Sequence, residues 1–167
     1  GHLIADDLTS IQKERFLKSN AMSQLFVEYV QAKGLKPKTV LDLGCGIGAN
    51  SIPLLKYRIN VIAIDNMKCV LDAYSQNIKN KNERDFAILK CADLTTLEKY
   101  TEEANVADVV IASDVLPYLP ILCWKSTMEK IVFSLKPGGY FFGSIFVKKS
   151  QANPFVVTVH EKFGAQY

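Results

Sequence analysis

The sequence predicts an α/β fold, a doubly wound and mostly parallel sheet with helices on both faces. Three observations carry this. Short continuous apolar runs alternate with amphipathic stretches through most of the chain, as strands buried on both faces do when helices connect them. A glycine-rich turn follows the first apolar run and leads straight into a helical pattern, the arrangement of a first crossover in such a sheet. No internal repeat or low-complexity segment competes with this reading, and right-handed crossovers then place helices on both sides.

The chain has 167 residues and fits a single domain, because one hydrophobic core serves ~100–200 residues. It is 49% apolar and 22% charged, enough to form a core and too apolar for disorder. Residues 1–36 read as N-terminal helices. Leu8, Ile11, Arg15 and Phe16, then Met22, Leu25, Phe26, Tyr29 and Val30, recur at three-and-four spacing. Ser19 or Asn20 can cap the second helix, and Gly34 with Lys36-Pro37 ends it.

Residues 37–147 form the core of the domain. The β-branched run 39–43 is the first strand. A helix over 49–56 follows, with Pro53 tolerated in or near its first turn. Residues 60–64 make a second strand and 68–79 a second helix; 86–90 a third strand and 94–100 a third helix. A fourth strand spans 108–112 and a further helix 121–135. Lys136-Pro137-Gly138-Gly139 is a tight turn before a fifth strand over 140–147. Residues 148–167 are a separate C-terminal segment. Their first part is polar and closes at Pro154, and 155–159 suit a strand while Pro154 and Glu161-Lys162 suit a helix; both remain open.

Charge and cysteines narrow the function. The net charge is only +3, Lys and Arg alternate with acids, and the one basic cluster is Lys148-Lys149, so a nucleic-acid partner is not expected. Cys45, Cys69, Cys91 and Cys123 form no CxxC pair, which argues against zinc and redox motifs. Each lies in or beside an apolar run and is expected to pack as a small hydrophobe, in a reducing, cytoplasmic compartment. The longest apolar run, 140–147, is interrupted by Gly143 and Ser144 and is far short of the ~20 residues of a membrane helix. No basic segment followed by an apolar block opens the chain. Gly1-His2 resembles a remnant of tag cleavage, so the natural start is expected to lie upstream.

Ligands of such a sheet bind beyond the carboxyl ends of its strands. The first strand and its loop read Val40-Leu41-Asp42-Leu43-Gly44-Cys45-Gly46-Ile47-Gly48. Glycines there permit positive φ and close approach of a ligand to the backbone. A dinucleotide site wants GxGxxG; here the third glycine comes one residue early and Ala49 stands where that pattern has glycine. Asp42 is placed to meet the ammonium of a bound amino acid. Asp65 ends the second strand about 20 residues on, where a carboxylate accepts from both hydroxyls of a ribose; it equally suits an N-cap of the next helix. Asn66 and Met67 follow, and Met67 either lies against an adenine or packs at the helix start. At the third strand end, Asp93 can accept from an adenine amino group and the Ala92 N–H can donate to a ring nitrogen, while Asp93 also suits a cap before Leu94-Thr95-Thr96.

With these residues in order, the chain resembles the class I S-adenosylmethionine-dependent methyltransferases over 39–147. The resemblance rests on the motif at 40–48, on Asp65, on Ala92-Asp93 and on the Leu135-Lys136-Pro137-Gly138-Gly139 turn. It implies a Rossmann-like sheet of seven strands, the last antiparallel, with S-adenosyl-L-methionine across the first three strand ends and S-adenosyl-L-homocysteine as product. The implied cofactor residues are Asp42, Gly44, Cys45, Gly46, Gly48, Asp65, Asn66, Met67, Ala92, Asp93 and Ser113, and no metal is implied. Relatives place a helix and a hairpin after the fifth strand, more than 148–167 can hold, so the C-terminal hairpin is expected to be incomplete or the chain a piece of a longer one.

The acceptor loop would be 112–120. It contains Asp114 and Tyr118 as catalytic candidates. It lacks the Asn/Asp-Pro-Pro-Tyr/Phe of base and glutamine methylases, and its Asp-x-x-Tyr likeness to lysine methylases is one residue out of step. Tyr118 either lines an acceptor pocket or packs under the loop. Gln12, Arg15 and Tyr29 could help close the cofactor site, although a solvated face with core packing accounts for each singly. His2 reads as tag-derived and His160 as structural or solvated. The implied partner is a small-molecule or protein methyl acceptor. The alternatives are a catalytically inactive cofactor-binding scaffold and, disfavoured by the glycine spacing, a nucleotide-dependent oxidoreductase.

Overall fold

In the computed structural model the described residues are 36–147 and 155–162, together with 32 and 34; for 144–147 and 155–162 the backbone alone is described. The N-terminal helical pattern, with Gln12, Arg15 and Tyr29, lies outside these residues.

Six strands form one sheet: β1 (Thr39–Leu43), β2 (Asn60–Asp65), β3 (Ala87–Cys91), β4 (Ala107–Ala112), β5 (Leu135–Val147) and β6 (Phe155–Lys162). Their order is β3-β2-β1-β4-β5-β6. The first five are parallel, and β6 returns antiparallel to β5 with Tyr140 opposite Lys162 and Val147 opposite Phe155. The chain steps outward from β1 to β3 and then crosses back to place β4 beside β1. The strand order therefore reverses between β1 and β4, and a crevice opens at their carboxyl ends. The C-terminal segment forms a strand, and the described residues contain six strands where the resemblance implies seven. Among the described residues, one antiparallel strand follows β5.

Alternation along each strand sends side chains to two cores. Val40, Val61, Ala63, Val109, Ile111 and Phe142 face α1 (Ile52–Leu55) and α2 (Lys68–Asn77), and bury Leu54, Leu55, Leu71 and Tyr74. Leu41, Leu43, Ile64, Val110, Ala112 and Phe141 face the other side, where Ile131 of α4 (Trp124–Ser134) and Tyr100 pack. Burying each Leu, Ile or Phe this way contributes ~1.5–3 kcal/mol. Asp42 has the same parity as Val40, so it points toward α1 and α2.

Several expected elements differ. Helix α1 begins only at Ile52, because Gly48 holds a left-handed φ of 92° and Pro53 occupies the first turn, where its missing N–H costs nothing. Residues 94–100 make a single turn rather than a helix. Asp93 captures the Thr95 N–H and hydroxyl, each at 2.7 Å, and the buried Tyr100 hydroxyl donates to the Leu94 carbonyl at 3.2 Å, so the backbone's turn is closed by side chains. A short helix α3 (Lys81–Arg84) is added, capped by Asn80, whose side chain accepts from Asn82 N–H. The turn at 136–139 is absorbed into β5 as a bulge: Leu135 pairs with Ala107 and Tyr140 with Val109, so four residues face Asp108 alone. Cys45 is buried, but Cys69 and Cys91 are exposed, at the first turn of α2 and the end of edge strand β3, so only Cys45 packs as a core hydrophobe.

Asp108 ties this end of the sheet together. Its Oδ2 accepts from the Lys38 and Thr39 N–H groups at 2.9 and 3.0 Å, and the Lys136 ammonium lies 3.2 Å from Oδ1. Partial burial works to raise its pKa, but these donors together hold it below the ordinary carboxylate range. Asp108 is the second residue of β4 and sits beside the start of β1, at the end of the sheet opposite the crevice.

Candidate functional site

The crevice at the carboxyl ends of β1 and β4 is lined by the glycine turn, and its three glycines do different jobs. A Cβ on Gly44 would lie 2.5 Å from Val115 Cγ2, and one on Gly48 would lie 2.4 Å from Ile52 Cδ1 and 2.9 Å from the Tyr74 ring. Gly44 thus lets the loop after β4 sit on the turn, and Gly48 lets α1 and α2 close beneath it. Gly46, with φ of 54°, has nothing within 4 Å of the same position. Of the three, its open face is where a ligand can meet bare backbone. Asn77 anchors the turn by donating from Nδ2 to the Ile47 carbonyl at 3.0 Å.

Asp65 bridges the first two loops. Its Oδ2 accepts from Gly46 N–H at 3.1 Å and its Oδ1 from Met67 N–H at 3.0 Å. Each oxygen retains a lone pair for another donor. It is not the N-cap of α2; Met67 holds that position and makes no side-chain cap bond. Asn66 and Met67 are exposed beside it, so Met67 is not core packing at the helix start. Cys45 contributes backbone only, since its N–H extends the ladder to the Ile64 carbonyl at 3.0 Å and its buried thiol is pushed up in pKa by desolvation.

Asp42 is 1% exposed, and its Oδ2 has no hydrogen-bond partner among the described residues. Burial pushes its pKa up to about 7, against a stabilising hydrogen bond from Ser51 and with the Asp65 charge adding to the rise. Asn50, also buried, leaves Oδ1 without a partner. A buried carboxylate with one oxygen left unpartnered, at the root of a glycine turn, suits a ligand that carries a cation.

The third strand end differs from expectation in one respect. The Ala92 N–H already donates to the Asp65 carbonyl at 2.9 Å, continuing the β2–β3 ladder, and is not available to a ring nitrogen. Asp93 is exposed, and both of its bonds from Thr95 fall on Oδ1, which lowers its pKa through those donors. Its capping role is therefore present, on an exposed carboxylate beside Ala92.

The comparisons with known proteins meet this geometry. A family model described as a methyltransferase domain matches residues 41–141. The chain belongs to this methyltransferase family. It is 35% identical to phosphoethanolamine N-methyltransferase 1 from Triticum aestivum over 63% of this chain and 20% of that protein. It is 28% identical to a ubiquinone biosynthesis O-methyltransferase from Actinobacillus pleuropneumoniae over 91% of this chain and 63% of that one. The chain thus spans a fifth of the first relative and under two thirds of the second. Its fold is that of the glycopeptide N-methyltransferase MtfA solved with S-adenosyl-L-methionine, at a TM-score of 0.62 and 18% identity over 86% of this chain and 67% of that one. S-adenosyl-L-methionine is the cofactor of the family.

The loop after β4 is where the sequence suggests acceptor contacts. Here it runs from Ser113 through two 3₁₀ turns, Leu116–Tyr118 and Ile121–Cys123. Val115 and Leu116 anchor it in the core. Asp114 takes φ of 55°, an uncommon conformation for a residue with a Cβ, and is exposed. Tyr118 is 68% exposed and so does not pack under the loop. Ile121 and Leu122, in the following turn, are 77% and 91% exposed. Ser113 is half-buried where β4 ends. The structure thus gathers Asp42, Gly46, Asp65 and Met67 around the first two loops, and sets Asp93 and Tyr118 to either side.

Sequence reasoning missed Ser51, Tyr74, Asn50 and Asn77. The signal for the first was available: Ser51 is a polar residue at the mouth of an apolar helix. Tyr74 looks in sequence like an ordinary core aromatic.

Proposed function

We propose that this chain is an S-adenosyl-L-methionine-dependent methyltransferase acting on a small molecule. The observation that carries the reading is Asp65 clamped between Gly46 and Met67, beside the buried Asp42 carboxylate with its one unpartnered oxygen. The residues fit the cofactor's parts. Gly46 offers bare backbone, Asp65 two acceptors for ribose hydroxyls, Asp42 an unpartnered acceptor for the ammonium, and Met67 and Asp93 flank the place for the base. Gly44, Gly48, Asn66, Ala92 and Ser113 shape the walls.

When bound, the cofactor supplies a methyl group activated by its sulfonium charge. The protein's contribution is to hold acceptor and donor in line, which is worth several kcal/mol through proximity and orientation alone. Val115 seated on Gly44 links the acceptor loop to the cofactor loop, so the two are positioned by one contact. Asp114 and Tyr118 are the candidates to touch the acceptor, Asp114 as a proton acceptor and Tyr118 as a ring for an apolar or cationic face. The names of the wheat and bacterial relatives point to small acceptors, a phosphoethanolamine nitrogen and an oxygen in ubiquinone biosynthesis, and support a small-molecule acceptor over a protein one.

The test is isothermal calorimetry with S-adenosyl-L-homocysteine on the chain and on Asp65→Ala. Binding by the parent and a loss of ~10-fold or more in the variant is the expected outcome, since two charge-assisted bonds are removed. A folded parent that binds nothing, or a variant that binds equally well, would overturn the reading.

A further inference from the structure

Behind the glycine turn lies a hydrogen-bonded chain that the cofactor reading does not itself require. The Ser51 and Tyr74 hydroxyls are 2.8 Å apart, and both residues are fully buried. Ser51 also hydrogen-bonds to Asp42. A serine has one proton to donate. Because an ionised carboxylate only accepts, Ser51 gives its proton to Asp42, and Tyr74 must then give its own to Ser51. The chain has one direction, from Tyr74 to Ser51 to Asp42. It ends at the Asp42 carboxylate, whose Oδ2 is left unpartnered.

The two hydroxyls sit on different pieces of structure. Ser51 precedes α1, whereas Tyr74 is on α2 with its ring against Gly48. The link therefore ties the turn to both helices and fixes which way the Asp42 carboxylate faces. Burial pushes the Tyr74 phenol up in pKa, so it stays a donor throughout the neutral range.

We propose that Ser51 and Tyr74 are positioning residues for the amino-acid end of the cofactor: their hydroxyl chain orients Asp42, stabilises its ionised form, and keeps one oxygen free for the ligand's ammonium. The inference rests on the cofactor reading above. Among the described residues, the titratable groups facing Asp42 are Asp65 at the end of β2, Cys45 in the turn and Tyr74 on α2, while neighbouring β4 sets the apolar Ile111 opposite it. None of these described groups is a cation, and the ligand's ammonium supplies one. Affinity for an ammonium-bearing ligand then rises with pH until Asp42 is ionised and levels off beyond, and loss of either hydroxyl moves that midpoint upward.

The experiment compares two ligands on the parent chain, Tyr74→Phe and Ser51→Ala. S-adenosyl-L-homocysteine carries the amino acid; 5′-methylthioadenosine has the same nucleoside and thioether without it. Calorimetry across pH 5.5–8.5 should show S-adenosyl-L-homocysteine weakened ~3–10-fold in each variant, the range one hydrogen bond spans, with its pH midpoint raised. Methylthioadenosine should bind within twofold of the parent and without that pH dependence. An equal loss for both ligands would mean the hydroxyls only support the fold, and unchanged S-adenosyl-L-homocysteine binding would mean they do not act on Asp42; either overturns the proposal. Each substitution removes a single hydroxyl from a different element, so a folding defect confined to one variant leaves the other to decide. A parent that binds neither ligand would overturn the cofactor reading, and this inference with it.

Discussion

Replacing Asp42 with Asn should make the unliganded protein more stable while abolishing tight cofactor binding. Asp42 is 1% exposed, and burial raises its pKa from 3.8 to about 7. For an acid raised in the folded state, the native form holds more protons than the unfolded chain between those two values. Stability therefore falls as pH rises from about 4 to about 7 and is flat above. Each unit is worth about 1.4 kcal/mol, which sets a ceiling of roughly 4 kcal/mol on the cost of the charge. Local relaxation and the Ser51 bond reduce what an amide recovers, so about 1–3 kcal/mol is expected for Asp42→Asn at pH 8.5. The gain should shrink steadily as pH falls through 7, to about a third of its full size at pH 5, and should vanish only near pH 4, where the unfolded carboxyl is protonated as well. Urea melts of both proteins at half-unit steps from pH 5 to 8.5 read this directly, and the difference cancels Asp93 and Asp108, whose pKa values move the other way. A variant less stable than the parent at pH 8.5, or a difference that does not change with pH, would refute the reasoning.

Other outcomes follow from the same geometry. Gly46→Ala should cost about 1–2 kcal/mol from its left-handed φ and block the ligand, whereas Gly48→Ala, which overlaps Ile52 and Tyr74, should cost more in stability; thermal melts beside S-adenosyl-L-homocysteine titrations separate the two. Asp108→Ala should destabilise by about 2–3 kcal/mol, because the Lys38 and Thr39 N–H groups and the Lys136 ammonium lose a charged acceptor, with ligand affinity unchanged in the folded protein. As the pKa of Asp108 is lowered in the fold, its contribution is present above the unfolded carboxylate pKa near 4 and lost as pH falls below it. Urea melts at pH 3 and pH 7 should show the parent and variant converging at the lower value.

The sheet was legible in the sequence because strands buried on both faces leave continuous apolar runs. The run 39–43 coincides with β1, and 60–64 and 86–90 fall within one residue of β2 and β3 at each end. Asp42, Asp65 and Asp93 could be assigned to strand ends for the same reason. Local competition was harder to see. Asp93 and Tyr100 close the segment 94–100 as a turn through bonds that a helical periodicity does not register. The bulge at 136–139 is set by a partner, Asp108, 28 positions earlier. The state of Asp42 depends on Tyr74, which reaches Ser51 across 23 positions, and no local pattern marks that approach. The Ala92 N–H is consumed by strand pairing, a fact of register rather than of residue type.

A crystal structure of the chain with S-adenosyl-L-homocysteine tests the central claim most directly. The account predicts the ligand across the carboxyl ends of β1, β2 and β3, its ribose hydroxyls on Asp65, its thioether chain over Gly46 and its ammonium within hydrogen-bonding distance of Asp42 Oδ2. Ligand bound elsewhere on the molecule, or in the crevice with Asp65 and Asp42 making no contact to it, would contradict the account.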